Sequence, residues 1–462
     1  MVDVDLIIIG AGPAGMAAAA TSAQGGARVL MLDEQPQAGG QIYRNLGAET
    51  PPPAYLGASY AAGKPLLAGL RTAGITGEFN ATVWRIDSDA GMPRVLWSRG
   101  GTSHAGQAPH VLLAGGAQER PTPFEGWTLP GVMPAGAAQI LMKTAQLLPR
   151  DAVLAGSGPL LYLIAAQLID AGAPPQALVE TQTPAMMTRA MRHLPRVLLA
   201  LPELAKGLAL IRKITAAGIP RYTSAAGFHA SMRTDGRLDF SFTAKGRAHT
   251  LCTPILLTHQ GVIPSTHISR AAGIAHAWNP AQQAIAPVTD RWGGSDVEGL
   301  HIAGDGAGIG GAEAARAAGE LAALDILRRL GRIDKNTRDR QAKAPRRALT
   351  RAMAIRPFLD AAYAPPPEIL APDGETIVCR CEEITAAEIR QSLEGGATGP
   401  RGVKTATRAG MGPCQGRMCD LTLRGILENC GAAPALPRAR TPIKPVALGE
   451  LAALAPHRKT KA

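Results

Sequence analysis

Aromatic side chains are scarce in this sequence, since Phe, Tyr and Trp together make up 4% of its 462 residues. The chain is nevertheless basic: 48 Lys and Arg residues outnumber 36 Asp and Glu residues and give a net charge of +12. A charge of this sign attracts nucleic acids and other anionic surfaces. Sequence-tolerant nucleic-acid binding, however, needs aromatic rings on which bases stack. The composition therefore argues against nucleic acid as a partner.

Long apolar runs and an export signal are also missing. No window reaches the roughly 18 apolar residues of a membrane-spanning helix. Two acidic residues precede the short run LIII (6–9), where a signal peptide would be basic. No cysteine occurs in the first half of the chain, so a disulfide framework is not expected. We predict a cytoplasmic protein, either soluble or peripheral on the inner face of the cell membrane.

The first glycine-rich turn follows a predicted strand at residues 5–9 and reads GAGPAG (10–15). An alanine-rich helix is predicted at 16–24, and a second strand at 28–32 ends at Asp33. In dinucleotide-binding folds the three glycines allow the tight turn, the approach of a pyrophosphate and the packing of helix on strand, while the acid accepts ribose hydroxyls. The complete order predicts a dinucleotide site.

A second turn of this kind, GSGPLL (156–161), follows a predicted strand at 153–155. A helix at 163–171 and a strand at 177–179 ending at Glu180 complete the unit. Leu161 replaces the third glycine, and we expect its side chain to push the helix from the strand and weaken dinucleotide binding. Two interpretations stay open: a nucleotide site, or a nucleotide-type fold that binds nothing or something else.

Two further strand ends carry glycines. Residues 111–121 (VLLAGGAQERP) predict a strand that runs into a Gly-Gly turn. Residues 299–315 (GLHIAGDGAGIGGAEAA) predict a strand ending at Gly304-Asp305 and a helix from about Gly311. A carboxylate there can reach the hydroxyls of a sugar-like chain, and the helix N terminus favours phosphate or flavin. The alternative is an ordinary strand–helix turn.

Basic residues concentrate in three segments. Residues 183–215 carry leucines and methionines near helical spacing among Arg and Lys side chains, a pattern that can lie on a membrane. Pro195 and Pro202 interrupt it, which favours an element that covers the second glycine-rich unit. Residues 331–370 are predicted to be a basic linker or partner-facing arm. Residues 436–462 are predicted to be a basic tail that wraps a surface or frays.

Four of the six cysteines form a pattern near the C terminus. Cys379 and Cys381 make C-x-C, and thirty-two residues later Cys414 and Cys419 make C-x4-C. Four thiolates could hold zinc or an iron–sulfur cluster. The C-x-C pair is tighter than most zinc knuckles, and the glycines around MGPCQGRMC (411–419) let backbone N–H groups approach cluster sulfides. The pattern favours a [2Fe–2S] cluster over structural zinc, with Cys430 as a spare thiol.

These motifs, in this order, resemble a known family. GAGPAG with LDEQPQAGGQIYR (32–44), FEGWTLPGVMPAGAAQ (124–139), AGDGAGIGGAEAA (303–315) and CRCEE with GMGPCQGRMC (379–383 and 410–419) look like the larger, FAD-binding subunit of bacterial amine and amino-acid dehydrogenase complexes. Members include the larger subunit of opine oxidase, the hydroxyproline dehydrogenase equivalent and the flavoprotein HcnB of hydrogen cyanide synthase. The resemblance covers nearly the whole chain, and its cysteine block is the most specific part.

The resemblance implies an α/β protein with two dinucleotide-binding (Rossmann-like) domains of thioredoxin-reductase type and a small C-terminal helical [2Fe–2S] domain similar to bacterioferritin-associated ferredoxin. The implied ranges are 1–148 and 262–330 for a discontinuous FAD-binding domain, 149–261 for the second domain, 331–370 for the linker, 371–435 for the cluster domain and 436–462 for the tail.

It also implies the site residues. Asp33 would hold the adenosine ribose, Glu34, Gly40 and Gln41 would line the flavin approach, and Asp305 would meet the ribityl chain or pyrophosphate. The full implied FAD set is Gly10, Gly12, Pro13, Ala14, Gly15, Asp33, Glu34, Gly40, Gln41, Gly304, Asp305 and Gly311. The implied cluster ligands are Cys379, Cys381, Cys414 and Cys419.

The implied activity is electron transfer within a heteromeric dehydrogenase. A D-amino-acid-oxidase-like flavoprotein β subunit, with a small third subunit in some complexes, would oxidise a secondary amine to an imine. Electrons would pass through FAD, the [2Fe–2S] cluster and an FMN at a subunit interface toward a quinone or other acceptor. No His/Asp pair announces a proton-abstracting site in this chain, and His259 and His267 are predicted to be structural.

Two departures from the flavoprotein pattern keep alternatives open. Residues 120–260 contain Cys252 but no C-x-x-C dithiol, which disfavours disulfide reduction. Leu161 puts NAD(P)H in doubt, and in relatives this slot can hold another adenine nucleotide such as ATP, or nothing. The alternatives are a hydrogen cyanide synthase subunit that acts in glycine oxidation, a self-contained NAD(P)H-dependent flavin oxidoreductase and a zinc-containing nucleic-acid-binding protein.

Overall fold

Parallel sheets organise most of the chain in the computed structural model, which describes residues 4–88 and 91–454. In chain order, the strands are β1 (Leu6–Ile9), β2 (Val29–Asp33), β3 (Ile75–Phe79), β4 (Thr82–Asp87), β5 (Arg94–Arg99), β6 (Thr102–Gln107), β7 (His110–Leu113), β8 (Ala117–Glu119), β9 (Val132–Pro134), β10 (Val153–Ser157), β11 (Ala177–Glu180), β12 (Arg221–Thr223), β13 (Ala225–Met232), β14 (Leu238–Ala244), β15 (Arg247–Thr253), β16 (Leu256–Gln260), β17 (Val262–Pro264), β18 (His276–Asn279), β19 (Ala284–Pro287), β20 (Leu300–Ile302), β21 (Ile377–Cys379) and β22 (Ile384–Thr385).

The helices, again in chain order, are α1 (Pro13–Gln24), α2 (Ala58–Ala61), α3 (Lys64–Gly69), α4 (Ala135–Thr144), α5 (Pro159–Asp170), α6 (Pro184–Met191), α7 (Leu194–Val197), α8 (Leu201–Ala216), α9 (His267–Ala271), α10 (Ala312–Arg329), α11 (Lys335–Gln341), α12 (Lys343–Ala354), α13 (Arg356–Ala362), α14 (Pro367–Leu370), α15 (Ala386–Glu394), α16 (Gly399–Thr407), α17 (Asp420–Asn429) and α18 (Leu448–Ala453). Short 3₁₀ turns occupy Ala54–Leu56, Leu198–Ala200 and Gly304–Gly306.

The first lobe is built on a parallel sheet with the strand order β20-β7-β1-β2-β3. Its central strands are continuous apolar runs because helices cover both faces of a parallel sheet. Helix α1 packs on α10, where a Cβ added to Gly319 would lie 2.1 Å from the Ala14 carbonyl oxygen. Strand β20 comes from residues beyond the second lobe, so the first sheet is assembled from two separated segments of the chain.

The second lobe repeats this plan with the order β12-β11-β10-β16-β9 and carries the antiparallel sheet β13-β14-β15. Its membership differs from the predicted boundary at residue 148. Strand β9 pairs with β16, and the buried side of α4 contributes Ala135, Ala138 and Met142 to the core of the second lobe. The segment from about 132 therefore belongs with the second sheet, because its apolar side chains face that core.

Residues 331–370 were predicted to be a linker, and the structure corrects this: they form the packed helices α11 to α14. The buried face is small and partly cationic, which is why the apolar periodicity is weak. The Trp292 ring lies between the guanidinium groups of Arg338 and Arg346, each 4.1 Å from its centroid. Such stacking lets arginine occupy an interior position that hydrophobic patterns do not reveal.

The cluster lobe contains the β21–β22 pair and helices α15 to α17 around a small core of Val378, Ile389, Val403, Leu423 and Ile426. Helix α15 has the predicted bounds, fixed at its N terminus by a capping box between Thr385 and Glu388. Helix α16 was not predicted. Helix α17 begins after Cys419, three residues later than the predicted start at Arg417.

The tail lies along the other lobes as far as it is described. The Ile443 N–H donates to the Trp84 carbonyl oxygen, and Lys444 forms an ion pair with Glu34 at 2.7 Å. Residues 455–462 of the predicted tail lie outside the described residues. No helix within 4–88 and 91–454 is both long enough and apolar enough to cross a lipid bilayer.

Candidate functional site

The first glycine-rich turn forms an open cradle at the carboxyl end of β1. Gly15 must remain without a side chain because an added Cβ would lie 1.9 Å from the Gly10 carbonyl oxygen. Above Gly12, by contrast, the nearest atom to an added Cβ is the Gly40 Cα at 3.8 Å. Pro13 starts α1, whose first turn presents backbone N–H groups with no helical partner. The cradle has the space and the electrostatics that a diphosphate needs.

Asp33 and Glu34 follow β2 but face different partners. Asp33 accepts hydrogen bonds from the Ala11 N–H (2.6 Å) and the Gln35 N–H (2.8 Å), and burial raises the pKa of its carboxyl group. It thus fixes the glycine-rich turn relative to β2. The Glu34 side chain instead pairs with Lys444 of the tail. The structure therefore brings Asp33 to the cradle and directs Glu34 away from it.

Gly40 and Gln41 cross the cradle, and they meet a residue that the sequence patterns did not indicate. The Gln41 carbonyl oxygen accepts a hydrogen bond from Lys143 Nζ at 3.0 Å, and Gln139 Oε1 accepts another at 2.9 Å. Burial, together with the nearby Arg44, lowers the pKa of Lys143 to about 7. The available signal was helical spacing, since Lys143 lies on the same face of α4 as Ala135, Ala138 and Met142.

The loop after β20 completes this edge of the first sheet. Asp305 Oδ1 accepts from the N–H groups of Gly310 (2.9 Å) and Gly311 (2.8 Å), so the carboxylate organises the start of α10. An added Cβ on Gly304 would touch the Ala14 Cβ at 2.8 Å, which places this loop beside the first turn of α1. The structure therefore gathers all three glycine-rich segments of the first lobe at one sheet edge.

The second glycine-rich unit has a different arrangement at its acid. Glu180 is 1% exposed, and its carboxylate accepts a hydrogen bond from the Tyr162 hydroxyl (2.6 Å) and two from the Arg221 guanidinium (2.8 Å each). The Tyr363 ring, which follows α13, packs edge-on against Tyr162 at 6.2 Å between centroids. The carboxylate that would accept ribose hydroxyls is thus already engaged.

Leu161 does not leave a gap between helix and strand. Its side chain is fully buried in the core of the second lobe with Leu154 of β10 and Met142 of α4. The α5 helix begins at Pro159, as α1 begins at Pro13. The leucine therefore fills the space that the third glycine keeps narrow in the first unit.

A two-stranded ribbon, β8 paired with β17, joins the lobes. Glu119 Oε1 lies 2.6 Å from His259 Nδ1, and Glu119 Oε2 accepts from the Gly136 N–H at 2.7 Å. His259 Nε2 is directed toward the second glycine-rich turn, 3.3 Å from a Cβ built on Gly158. Sequence patterns did not indicate this pair because 140 residues separate its members.

Other side chains of the ribbon reach the remaining lobe and loops. Gln118 Nε2 donates to the Arg417 carbonyl oxygen at 2.9 Å, only two residues from Cys419. Arg120 donates to three backbone carbonyl oxygens, those of Gln260, Gln282 and Gln283, and burial lowers its pKa to about 10. The ribbon therefore connects the first lobe, the second lobe and the cluster lobe directly.

The four cysteines of the C-terminal pattern fall into two pairs. Cys379 is hydrogen-bonded to Cys419, and Cys381 to Cys414. The Cys379 Sγ also accepts from the Gly410 N–H at 3.3 Å. The bond from Cys419 lowers the pKa of Cys379 to about 6, and the same pairing raises the pKa of Cys419. Cys430 stands apart, within hydrogen-bond distance of Arg390.

The pairing bears on which metal group these thiols fit. Within the described ranges, no three His, Cys, Asp or Glu side chains gather around one point as a single-ion site. A [2Fe–2S] cluster takes two protein ligands on each iron, whereas structural zinc needs four ligands around one ion. Two thiol pairs in a small, largely buried lobe fit the two-iron group better than zinc.

Contacts outside the ribbon also fix the cluster lobe. Arg270 of α9 forms a largely buried ion pair with Asp420 at 2.8 Å, and the Trp127 N–H donates to the Ile377 carbonyl oxygen at 2.7 Å. Arg417 was predicted to screen the cluster charge, but its guanidinium donates to the Ile443 carbonyl oxygen of the tail. The lobe is therefore positioned by polar contacts on several sides.

Family models divide the chain at the same places. Residues 4–321 match the pyridine nucleotide-disulphide oxidoreductase family, and residues 377–429, which include all four paired cysteines, match the BFD-like [2Fe-2S] binding domain. The chain belongs to the pyridine nucleotide-disulphide oxidoreductase family and is a flavoprotein oxidoreductase with an iron–sulfur-type domain.

Within that class the chain is similar over its length to one of the named subunits of opine oxidase. The opine oxidase protein from Agrobacterium tumefaciens (strain Ach5) is 44% identical over 98% of this chain and 92% of its own length. The hydrogen cyanide synthase subunit HcnB of Pseudomonas aeruginosa is 33% identical over 89% of this chain and 90% of its own length. The predicted family resemblance is confirmed.

Solved structures agree on the fold. L-proline dehydrogenase from P. horikoshii matches with a TM-score of 0.70 at 19% identity, over 98% of this chain and 80% of its own. Thioredoxin reductase from T. acidophilum matches with a TM-score of 0.52 at 18% identity, over 71% of this chain and 99% of its own. The predicted α/β class, with two Rossmann-like domains of thioredoxin-reductase type and a C-terminal helical domain, is confirmed.

Proposed function

We propose that this chain is the FAD- and [2Fe–2S]-containing subunit of a heteromeric opine or amino-acid dehydrogenase. A D-amino-acid-oxidase-like partner subunit oxidises a secondary amine to an imine, and this chain relays the electrons toward a quinone or other acceptor. The opine oxidase relatives are themselves named as subunits, which supports a multi-subunit complex. The observation that carries the proposal is the direct contact between the cluster lobe and β8, the strand that leaves the Gly115-Gly116 turn, through Gln118.

The first lobe holds FAD in this proposal. Gly10, Gly12 and Gly15 with the first turn of α1 bind the diphosphate, and Asp33 keeps that turn closed while its free lone pairs face the ribose. Asp305 shapes the loop before α10. Pro13, Ala14, Gly40, Gln41, Gly304 and Gly311 form the remaining wall. Bound there, the flavin supplies the capacity to accept and release electrons.

The cluster lobe holds the [2Fe–2S] group through Cys379, Cys381, Cys414 and Cys419. Burial of Cys379 and Cys419 keeps solvent from one side of the thiol group, and the Gly410 N–H stabilises negative charge on sulfur. Helix α17 starts immediately after Cys419, so its N terminus favours an anionic group there. The Arg270–Asp420 pair and Gln118 keep this lobe against the rest of the protein.

A self-contained NAD(P)H oxidoreductase is the second candidate. Arg221 and Tyr162 occupy Glu180 in the unit that would bind NAD(P)H, and α4 begins without the dithiol of disulfide reductases. ATP in the second unit and FMN at a subunit interface stay part of the proposal as further groups of the complex. Glycine as substrate, in a hydrogen cyanide synthase complex, rests on a relative of lower identity.

The test uses the complex purified with its partner subunit under anaerobic conditions. Denaturation should release stoichiometric FAD, iron analysis should give about two irons per copy of this chain, and one-electron reduction should give a rhombic paramagnetic signal. Substrate should reduce the flavin absorbance and produce that signal. Cys414→Ser should remove the signal, and Cys430→Ser is the matched control that should keep it.

Three results would contradict the proposal. Zinc without iron in the anaerobic protein would exclude the relay through this lobe. Protein that releases no FAD would exclude the first site. Rapid NADH oxidation by the isolated chain would place the second candidate first.

A further inference from the structure

An exposed ridge of large apolar side chains lies on the second lobe. We call it the leucine ridge, and it comprises Met191, Leu194, Leu198, Leu199, Leu201 and Leu208, which are 49%, 36%, 67%, 60%, 52% and 53% exposed. Single exposed leucines are common on soluble proteins, whereas a contiguous group marks a surface that contacts something apolar. Six such residues within eighteen positions form such a group.

The ridge rests on a fixed base. Ala200, between the most exposed leucines and α8, is fully buried and packs with Ala354 and Ile355 of the α12–α13 segment. At the other end Ile214 of α8 is fully buried in the core of the second lobe. The 3₁₀ turn Leu198–Ala200 thus presents Leu198 and Leu199 outward from a packed support. This shape is convex and does not form a groove for a peptide or helix.

Basic side chains border the ridge. Five of them are exposed and have no carboxylate partner in the part of the chain that the structure describes: Arg189, Arg192, Arg196, Lys206 and Arg212. Lys213 is paired with Asp170. The only acidic residue between 183 and 215 is Glu203. The border therefore has a strong excess of positive charge.

We propose that the leucine ridge docks on the surface of an anionic lipid bilayer, with Leu198 and Leu199 entering the headgroup region and the arginines contacting lipid phosphates. Leucine with a Lys- and Arg-rich border is the composition of interfacial helices. A protein interface of this size would normally contain aromatic anchors, and residues 183–215 contain none. The inference deepens the proposed function, since a membrane quinone is the acceptor that such docking would bring close.

The test measures co-sedimentation of the purified complex with vesicles. Vesicles of phosphatidylglycerol with phosphatidylcholine should bind it, vesicles of phosphatidylcholine alone should bind at least about tenfold more weakly, and added salt should weaken the binding. The double variant Leu198→Ser/Leu199→Ser should lose about tenfold or more in binding. Leu147→Ser is the control, because Leu147 is 58% exposed but lies outside the ridge. Arg192→Glu/Arg196→Glu should reduce binding to the anionic vesicles selectively.

Equal vesicle binding by the Leu198/Leu199 variant and the parent would overturn the inference. So would a parent complex that binds no vesicles while the same variant fails to assemble with its partner subunit, since the ridge would then be a protein interface. FAD and iron contents are measured in the same samples. Failed vesicle binding with intact cofactors overturns only the membrane docking, whereas missing cofactors overturn the proposed function.

Discussion

The two glycine-rich units share a plan but differ at the acid that ends their second strand. In the first, Asp33 bonds backbone N–H groups of its own turn and stays beside an open cradle. In the second, Glu180 is buried under Tyr162 and Arg221. The glycines determine the shape of the turn, whereas the neighbours of the acid determine whether a ribose can reach it.

Those neighbours come from distant parts of the sequence. Arg221 lies on β12, forty-one residues after Glu180, and Tyr363 arrives from the helical segment that the sequence suggested was a linker. A local motif therefore predicts the possibility of a nucleotide site, and the tertiary structure decides whether it is available. Four substitutions test this difference, in order of decreasing expected effect.

Completing the glycine motif of the second unit should not create an NAD(P)H site. Leu161→Gly removes a fully buried side chain and should lower the free energy of unfolding by about 4 kcal/mol because of the cavity it leaves. Glu180 remains engaged, so NADH binding should not improve. Denaturant unfolding and NADH titration measure both effects, with exposed Leu147→Gly as control. Tight NADH binding by the variant would show that Leu161 alone closed the site.

Closing the narrow approach in the first unit should remove its ligand. In Gly15→Ala the new Cβ would lie 1.9 Å from the Gly10 carbonyl oxygen, so the backbone must shift. We expect loss of stoichiometric FAD and destabilisation of about 3 kcal/mol. Gly207→Ala on α8, where an added Cβ meets no atom within 4 Å, should retain FAD. Equal FAD content in both variants would contradict the assignment of the cradle.

Removing one charge of the buried pair should destabilise the second lobe. Glu180→Gln leaves the Arg221 guanidinium without a carboxylate, and we expect a loss of about 2 kcal/mol. Asp170→Asn breaks the exposed pair with Lys213 and should change stability by less than about 0.5 kcal/mol. Similar losses in the two variants would mean that burial of Glu180 has little energetic weight.

Lys143 links the two units, since it bonds Gln41 beside the first cradle and, through Gln139, Gln167 of α5. Its pKa is about 7 in the folded protein, against an ordinary value of 10.5. Between these pH values the unfolded state holds one more proton, so stability rises with pH. Below about pH 7 both states are protonated and the penalty is complete.

Lys143→Met should therefore change the pH dependence of stability. The free energy of unfolding of the parent, relative to the variant, should increase by about 1 kcal/mol between pH 7 and pH 8. Denaturant unfolding at each pH measures the difference. A difference that is constant over this interval would show that Lys143 remains protonated in the folded state.

Much of this architecture could be predicted from local patterns. The strand–glycine–helix order located β1, α1 and β2, and the α15 bounds followed from residues 386–394, because both signals depend on neighbours within a few positions. The FAD and cluster residues remain predictions, although the structure gathers the three glycine-rich segments and pairs the cysteines. The Glu119–His259 contact, Lys143 and the helices of 331–370 were missed. Each depends on contacts between distant segments or on arginine packing, which hydrophobic periodicity does not report.

The tail has a consequence for modular engineering. The segment from Pro437 to Lys444 contacts Arg270, Arg417 and Glu34, so it touches the cluster lobe and the first lobe together. A cluster module cut at the end of α17 for fusion to another flavoprotein would lack this strap. A transplantable unit should extend through about residue 447, and its recipient should offer an acidic surface to Lys444. Domain shuffling in this family would then favour joint exchange of the lobe and its tail.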